Sequence, residues 1–256
     1  MMINKLILFF ALMTVSTLSA KKMDYYYLKA YHFSTDEQGN RILDYLENAY
    51  VPALHGMGYQ DIGVFSWLGN DTSAMKKIFV LVPTDDITKL LKAEDDLANH
   101  DMHLKSGMDY WTTAHDKPAF DRIESSILGA FHLHPNYAKP KLKAPKSERV
   151  YELRSYEGAS EKLYRKKVEM FNEGGEIDIF KALNFNAVFY SKTLVGAHTP
   201  NLMYMTTFEN MEDRDAHWDA FRNAPAWKEL SAKEEYKNTV SHIDVYLCKP
   251  ADFSDI

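Results

Sequence analysis

The stretch RVYELRSYEG, residues 149–158, alternates two sets of side chains: Tyr151 and Leu153 on one side, Glu152, Arg154 and Tyr156 on the other. A period of two is the signature of a β-strand. A related stretch occurs earlier in the chain. YYLKAY at 26–31 matches YELRSY at 151–156, with Tyr26, Leu28 and Tyr31 meeting Tyr151, Leu153 and Tyr156 at an offset of 125 residues. Val64–Phe65 recurs as Val188–Phe189 at an offset of 124, so the spacing holds through the intervening segments.

Working outward, hydrophobic periodicity gives one element order twice. The first half reads strand 25–33, helix 39–54, strands 62–68 and 77–82, helix 87–103 and strand 123–133. The second reads strand 150–156, helix 161–173, strands 187–194 and 201–208, helix 212–230 and strand 240–248. The stripes Ile42, Leu46, Ala49, Ala53 and Tyr164, Val168, Phe171 mark core-facing helix sides. Each half is therefore βαββαβ, the ferredoxin-like plan, in which both helices cover one face of an antiparallel sheet. The other face needs a cover, and the second copy is the nearest one. The fold class expected is α+β: two tandem ferredoxin-like units forming a pseudo-dimeric α/β barrel. The domain boundaries expected are a leader at 1–20, a diverged first unit at 21–134, a linker at 135–147 and a second unit at 148–256. The linker, PNYAKPKLKAPKS, carries three Pro and four Lys and reads as extended and solvated.

The leader follows from Lys5, an uncharged stretch over 6–20 and small residues before Lys21, the pattern of a secretory signal peptide. Export to the periplasm or the outside is expected, with a mature chain starting near Lys21 and no membrane span after removal. Without residues 1–20 the chain has 29 basic and 36 acidic side chains, a net charge of −7. That argues against nucleic acid as a partner. Cys248 is the sole cysteine, so a hydrophobic core and not disulfides must hold the fold.

VYELRSYEG, the later Asp213-Arg214, Pro225-x-Trp227 and the closing Pro250-x-x-Phe253-Ser254 resemble the NIPSNAP family, whose pattern joins an E-L-R-x-Y strand to D-R, P-x-W and P-x-x-F-S. The resemblance covers 148–256 and implies the dimeric α/β-barrel class. In the first half Tyr27 and Lys29 replace the Glu and Arg, and D-R and P-x-W have no counterpart. The family constrains shape more than chemistry.

If the apolar set of each strand meets the helices, Glu152, Arg154 and Tyr156 face the space between the sheets. The same alternation sends Ile243, Val245 and Leu247 to the helices and His242, Asp244, Tyr246 and Cys248 inward. Lys29, Tyr31 and Tyr27 would line the opposite wall. The ligand-binding candidates are therefore Glu152, Arg154, Tyr156, His242, Asp244, Tyr246, Lys29 and Tyr31. Charges buried there must pair with one another or line water or a ligand, and both readings stay open.

Other clusters carry less. His132 and His134 read as an exposed strand end, His100 and His103 as solvated helix surface, and Trp218, Phe221 and Trp227 as packing. The Gly174-Gly175 pair reads as chain reversal, and Cys248 as a buried thiol. The glycine spacing of a nucleophile elbow, P-loop or dinucleotide fingerprint is absent from the sequence. No metal and no cofactor are expected. The partner is a small molecule or an envelope protein, with an intramolecular pseudo-dimer that can assemble further as a homo-oligomer. The rival reading is an enzyme, either a cofactor-independent monooxygenase or a haem-handling protein of the same barrel class.

Overall fold

The computed structural model describes residues 22–256, so the expected leader lies outside the described residues. Eight antiparallel strands close into one barrel: β1 (Tyr25–Phe33), β2 (Gly63–Trp67), β3 (Lys76–Thr84), β4 (Arg122–Ala130), β5 (Val150–Glu157), β6 (Asn186–Val195), β7 (Asn201–Phe208) and β8 (His242–Pro250). The order around it is β1-β3-β2-β8-β5-β7-β6-β4. Each half contributes the same four-strand pattern, β4-β1-β3-β2 and β8-β5-β7-β6. Their edges join where β2 meets β8 and β4 meets β6. One chain thus builds the whole barrel, and no sheet edge is left open.

The helices lie outside. In the first half α1 (Asp36–Tyr45) starts at a capping box in which Thr35 and Gln38 satisfy each other's backbone. It passes through a π-turn at Leu46–Tyr50 into α2 (Val51–Gly56). Pro52, which has no N–H to donate, follows directly on that turn. The single helix expected over 87–103 is broken into α3 (Ile87–Asp96) and α4 (Asp101–Ser106), followed by α5 (Met108–Trp111). In the second half α6 (Glu161–Phe171) is followed by α7 (Glu176–Ala182), a helix the periodicity missed. Gly175, at φ 89°, makes the reversal between them. The helix expected over 212–230 divides into α8 (Met211–Asn223) and α9 (Pro225–Ala232), because the residue before Pro225 is driven out of the helical region.

The barrel interior is a largely apolar core. Tyr26, Leu28, Phe65, Phe79, Leu81, Leu128, Tyr151, Leu153, Phe189, Met203, Met205 and Cys248 fill it. Separate cores lie between barrel and helices in each half. The linker corrects the expectation of a solvated spacer. Tyr137 and Leu142 pack on the interior core, Ala138 N donates to Val188 O at 3.0 Å, and the Glu209 carboxylate takes the N–H groups of Lys143 and Ala144. Its few apolar side chains cover the barrel end at which Tyr26 and Tyr151 lie. Among the described residues no helix is long and apolar enough to cross a membrane.

Candidate functional site

Strand register decides where the chemistry sits. Along β5 and β8 the partners are Glu152 with Leu247, Arg154 with Val245, and Tyr156 with Ile243. Paired residues share a sheet face, so Glu152, Arg154 and Tyr156 point toward the helices, as Leu247 does. The expectation that they line the inter-sheet space is corrected. It is Tyr151 and Leu153 that enter the barrel, since a space closed on every side suits apolar rings better than an Arg and a Glu. Lys29 and Tyr31 are corrected in the same way. Tyr27 and Tyr31 belong to the helix-side core, and Lys29 donates to Glu94 Oε2 at 2.7 Å while lying over the Tyr50 ring at 4.8 Å.

On β8 the expected faces hold. Tyr246 sits in the interior against Phe79 and accepts from Lys77 Nζ at 3.0 Å. Asp244 and Tyr246 line a small cavity of about 110 Å³ at one barrel end, and His242 stands at its exposed rim. The sequence-derived candidates therefore separate: Lys29 and Tyr31 stay on β1 in the helix-side core of the first half, and those of β5 and β8 lie on opposite faces of these two strands.

The larger place is a cleft of about 330 Å³ between β5, β8 and the helices of the second half. Arg154, Lys167, Glu176, Arg214, Trp218 and Trp227 are among its walls. Its foundation is Glu152, whose side chain is 0% exposed. Arg154 Nη1 donates to Glu152 Oε1 at 2.6 Å. Arg214 donates through Nε to Oε2 at 2.8 Å and through Nη2 to Oε1 at 3.2 Å, and Trp218 Nε1 donates to Oε2 at 2.7 Å. One carboxylate thus gathers two guanidinium groups and an indole. Arg154 lies over the Trp218 ring at 4.6 Å, and its Nε donates to the Tyr156 hydroxyl at 3.1 Å, which is 3.0 Å from that of Tyr204.

Helix α8 supplies Arg214, Trp218, Phe221 and Arg222 at i, i+4, i+7 and i+8, one helical face. It is positioned by its N-cap Asn210, which accepts from Asp213 N, while His217 forms the ordinary one-turn pair with Asp213. Trp227, returning after the Pro225 break, packs on Phe221 at 4.5 Å. Lys167 and Glu176 form a buried pair at 2.7 Å.

Cations outnumber anions on the cleft lining itself, although Arg214 and Arg222 also pair with Asp215 and Asp219 outside it. Arg154, Lys167, Arg214 and Arg222 line it against Glu176, with Glu152 beneath. Burial opposes the charge of Arg154, but Tyr204, Tyr156 and Glu152 outweigh it and its pKa is raised. Burial likewise opposes the charge of Arg214, and its bonds to Glu152 and Asp215 reverse the balance. Glu176 is raised by burial, with Lys167 pulling the other way. Burial raises Tyr156 and Tyr204, so both phenols stay protonated at neutral pH. Arg154 Nη2 has no partner among the described residues, which leaves one guanidinium edge for a ligand.

Sequence reasoning missed Lys167 and Glu176 altogether and took Trp218, Phe221 and Trp227 for packing alone. The signal was present in α8, where Arg and aromatic residues share one face. Of the other histidines, His132 pairs with Glu173 at 2.9 Å on the surface, as expected of an exposed end. His103 is a correction: it is buried, with Nε2 2.9 Å from the Tyr45 hydroxyl and Nδ1 2.9 Å from Leu97 O.

Comparison with known proteins follows this division. Residues 151–255, which carry the cleft, match the NIPSNAP family model. Over the whole length, a candidate monooxygenase from Fusobacterium nucleatum is similar at a TM-score of 0.58 and 8% identity, covering 90% of this chain and 93% of that one. A second, from Lactobacillus acidophilus, has a TM-score of 0.56 and 13% identity over 89% and 94%. A NIPSNAP-like domain protein from Burkholderia xenovorans covers 42% of this chain and 89% of its own, at 20% identity and a TM-score of 0.38. No curated protein matches the sequence. The two full-length likenesses establish the dimeric α/β-barrel fold.

Proposed function

We propose that this protein, whose second half matches the NIPSNAP family model, is an exported binding protein for a small anionic aromatic molecule, held in the helix-side cleft. The observation that carries this reading is Arg154: a guanidinium on the cleft wall, stacked on Trp218, with Nη2 uncommitted. Its ring neighbours Trp218, Phe221 and Trp227 supply the apolar walls, and the surplus of cations supplies the preference for a carboxylate. A volume of about 330 Å³ suits one or two fused rings. The interior cavity, at about 110 Å³, lies below the roughly 300 Å³ at which small-molecule pockets begin, so a haem-sized ligand has no room there.

The test compares 2-naphthoate with neutral 2-naphthamide by quenching of Trp218 and Trp227 fluorescence. Naphthoate should bind at least tenfold tighter, and Arg154→Met should abolish that difference. Equal binding of the two, or a preference that survives Arg154→Met, would refute the reading. Export is tested separately by the N-terminus of the secreted chain, expected near Lys21.

A second reading is oxygen-dependent oxidation of an electron-rich aromatic without a cofactor. What favours it is the Arg154–Tyr156–Tyr204 chain: with Arg154 and Tyr204 donating to it, the Tyr156 hydroxyl on the cleft wall is free to donate to the oxyanion of an ionised phenol. The fold likeness to candidate monooxygenases is consistent with it. Oxygen uptake with a dihydroxynaphthalene, lost in Tyr156→Phe, would support it; no uptake above the protein-free rate would dismiss it.

A further inference from the structure

The opposite face of the same two strands carries a second constellation. Glu157, the last residue of β5, pairs in register with His242, the first of β8, and Asp244 follows two residues on, on the same face. One donor atom from each lies within 4.8 Å of the others, and His242 Nε2 is 3.3 Å from Asp244 Oδ1. We propose that these three residues hold a divalent transition-metal ion at the mouth of the barrel. Paired strands fix the three backbones. A tetrahedral ion with bonds of ~2.1 Å needs donors ~3.4 Å apart, a spacing His242 and Asp244 already have and Glu157 reaches by side-chain rotation.

An independent observation points to a ligand in the same place. Asn201 pairs with Glu157 across β5 and β7, is 3% exposed and lines the small cavity with Asp244 and His198. Its Nδ2 donates to Ser155 Oγ at 2.8 Å, which fixes the amide, yet its Oδ1 is buried with no hydrogen-bond partner. Glu157 Oε1 is also buried without one: His198 Nδ1 lies 2.9 Å away, within ion-pair reach but misdirected for a hydrogen bond. Buried acceptors are normally satisfied. A metal at Glu157 would meet its oxygen directly, and a metal-bound water in the fourth position would donate to Asn201 Oδ1.

The donor set selects the metal class. One imidazole and two carboxylates, with no thiolate, suit borderline ions such as Zn²⁺ or Mn²⁺ better than soft Cu⁺. An oxygen-only shell of the kind that Ca²⁺ prefers is excluded by His242. Two protein strands and an open fourth position match the arrangement of a site that exchanges a water, which a closed structural site does not do.

The experiment titrates the metal-free full chain with Co²⁺, followed by its visible absorption, with Zn²⁺ as competitor. One equivalent should bind and be displaced by Zn²⁺, and Zn²⁺ should raise the melting temperature. His242→Ala and Asp244→Asn, both at partly exposed positions, should weaken Co²⁺ binding at least tenfold and remove the Zn²⁺ effect, while the metal-free melting temperature stays within about a degree. Arg154→Met, on the other face, should bind Co²⁺ as the parent does, so the result is independent of the cleft. Absence of saturable Co²⁺ binding, or binding that survives both substitutions, would overturn the proposal.

Discussion

Trp218 Nε1 donates to Glu152 Oε2 at 2.7 Å, so the indole that walls the cleft and the carboxylate that gathers its arginines act as one unit. Glu152 is fully buried and accepts from three side chains; removing its charge leaves Arg154 and Arg214 facing each other without their anion. Glu152→Gln should therefore lower stability by about 3 kcal/mol, in the range for breaking a buried ion pair. Asp215→Asn, which removes only a solvent-exposed partner of Arg214, should cost no more than ~0.5 kcal/mol. Urea unfolding of the two variants decides the matter, and equal losses would show that Glu152 does not organise the site.

The Lys167–Glu176 pair makes a prediction about pH. Burial raises the Glu176 pKa in the folded state, so that carboxyl loses its proton at higher pH than in the unfolded chain, and stability falls as pH rises between the two values. Lys167 limits that loss. Lys167→Met removes the limit and pushes the folded pKa higher. The variant should be clearly less stable than the parent at pH 7.5, and the gap should narrow by pH 4, where the buried carboxyl is protonated. Melting temperatures across that range provide the check. A gap that is constant with pH would mean that Lys167 contributes packing only.

How much of this was legible in the sequence depends on what local pattern encodes. The tandem βαββαβ order and the barrel follow from periodicity, a local property; the Pro225 break is encoded in proline chemistry but lay inside the helix expected over 212–230. The missed helix at Glu176–Ala182 is short and follows a glycine pair, so its pattern had no length to show itself. The face assignment failed at β5 for a different reason. Alternation separates Glu152 and Arg154 from Tyr151 and Leu153 but does not say which set enters the barrel. The charged set went to the helix side because that interface opens to solvent between α6 and α8, whereas the barrel interior is closed all round. On β8 the same reasoning succeeded, since Ile243 and Val245 do lie on the cleft side. The convergence of Arg154 with Lys167, Glu176 and Trp227 is tertiary, and only the folded chain displays it.

His103 yields a second pH effect, of opposite sign to that of Glu176. Burial lowers its folded pKa, against the pull of its bond to Leu97 O. The unfolded chain takes up that proton near pH 6.5, before the folded chain does. Stability is then fully present above that pH and is lost as pH falls toward the folded value. His32, lowered by burial and by Lys77, acts in the same direction. His103→Gln keeps a hydrogen-bonding side chain near Tyr45 without the titration. Its stability should fall less steeply between pH 7 and 5 than that of the parent, and an unchanged slope would assign the effect to other groups.

Cys248 offers a probe of barrel opening. It lies in the interior core at 0% exposure, opposite Tyr151 in the register, and burial pushes its thiol pKa up. A thiol held protonated and out of contact with solvent does not attack a disulfide reagent. Labelling by an aromatic disulfide should thus require the barrel to open. In native buffer the rate should be slow, and at high reagent concentration it should become independent of reagent and equal the opening rate. Phe65→Ala, which opens a cavity beside Tyr151, should speed labelling in proportion to its loss of stability, while Trp227→Ala in the outer cleft should change it far less. Fast labelling of the native protein, first order in reagent at every concentration, would mean that the interior is reached without unfolding and that the barrel core is not closed around Cys248.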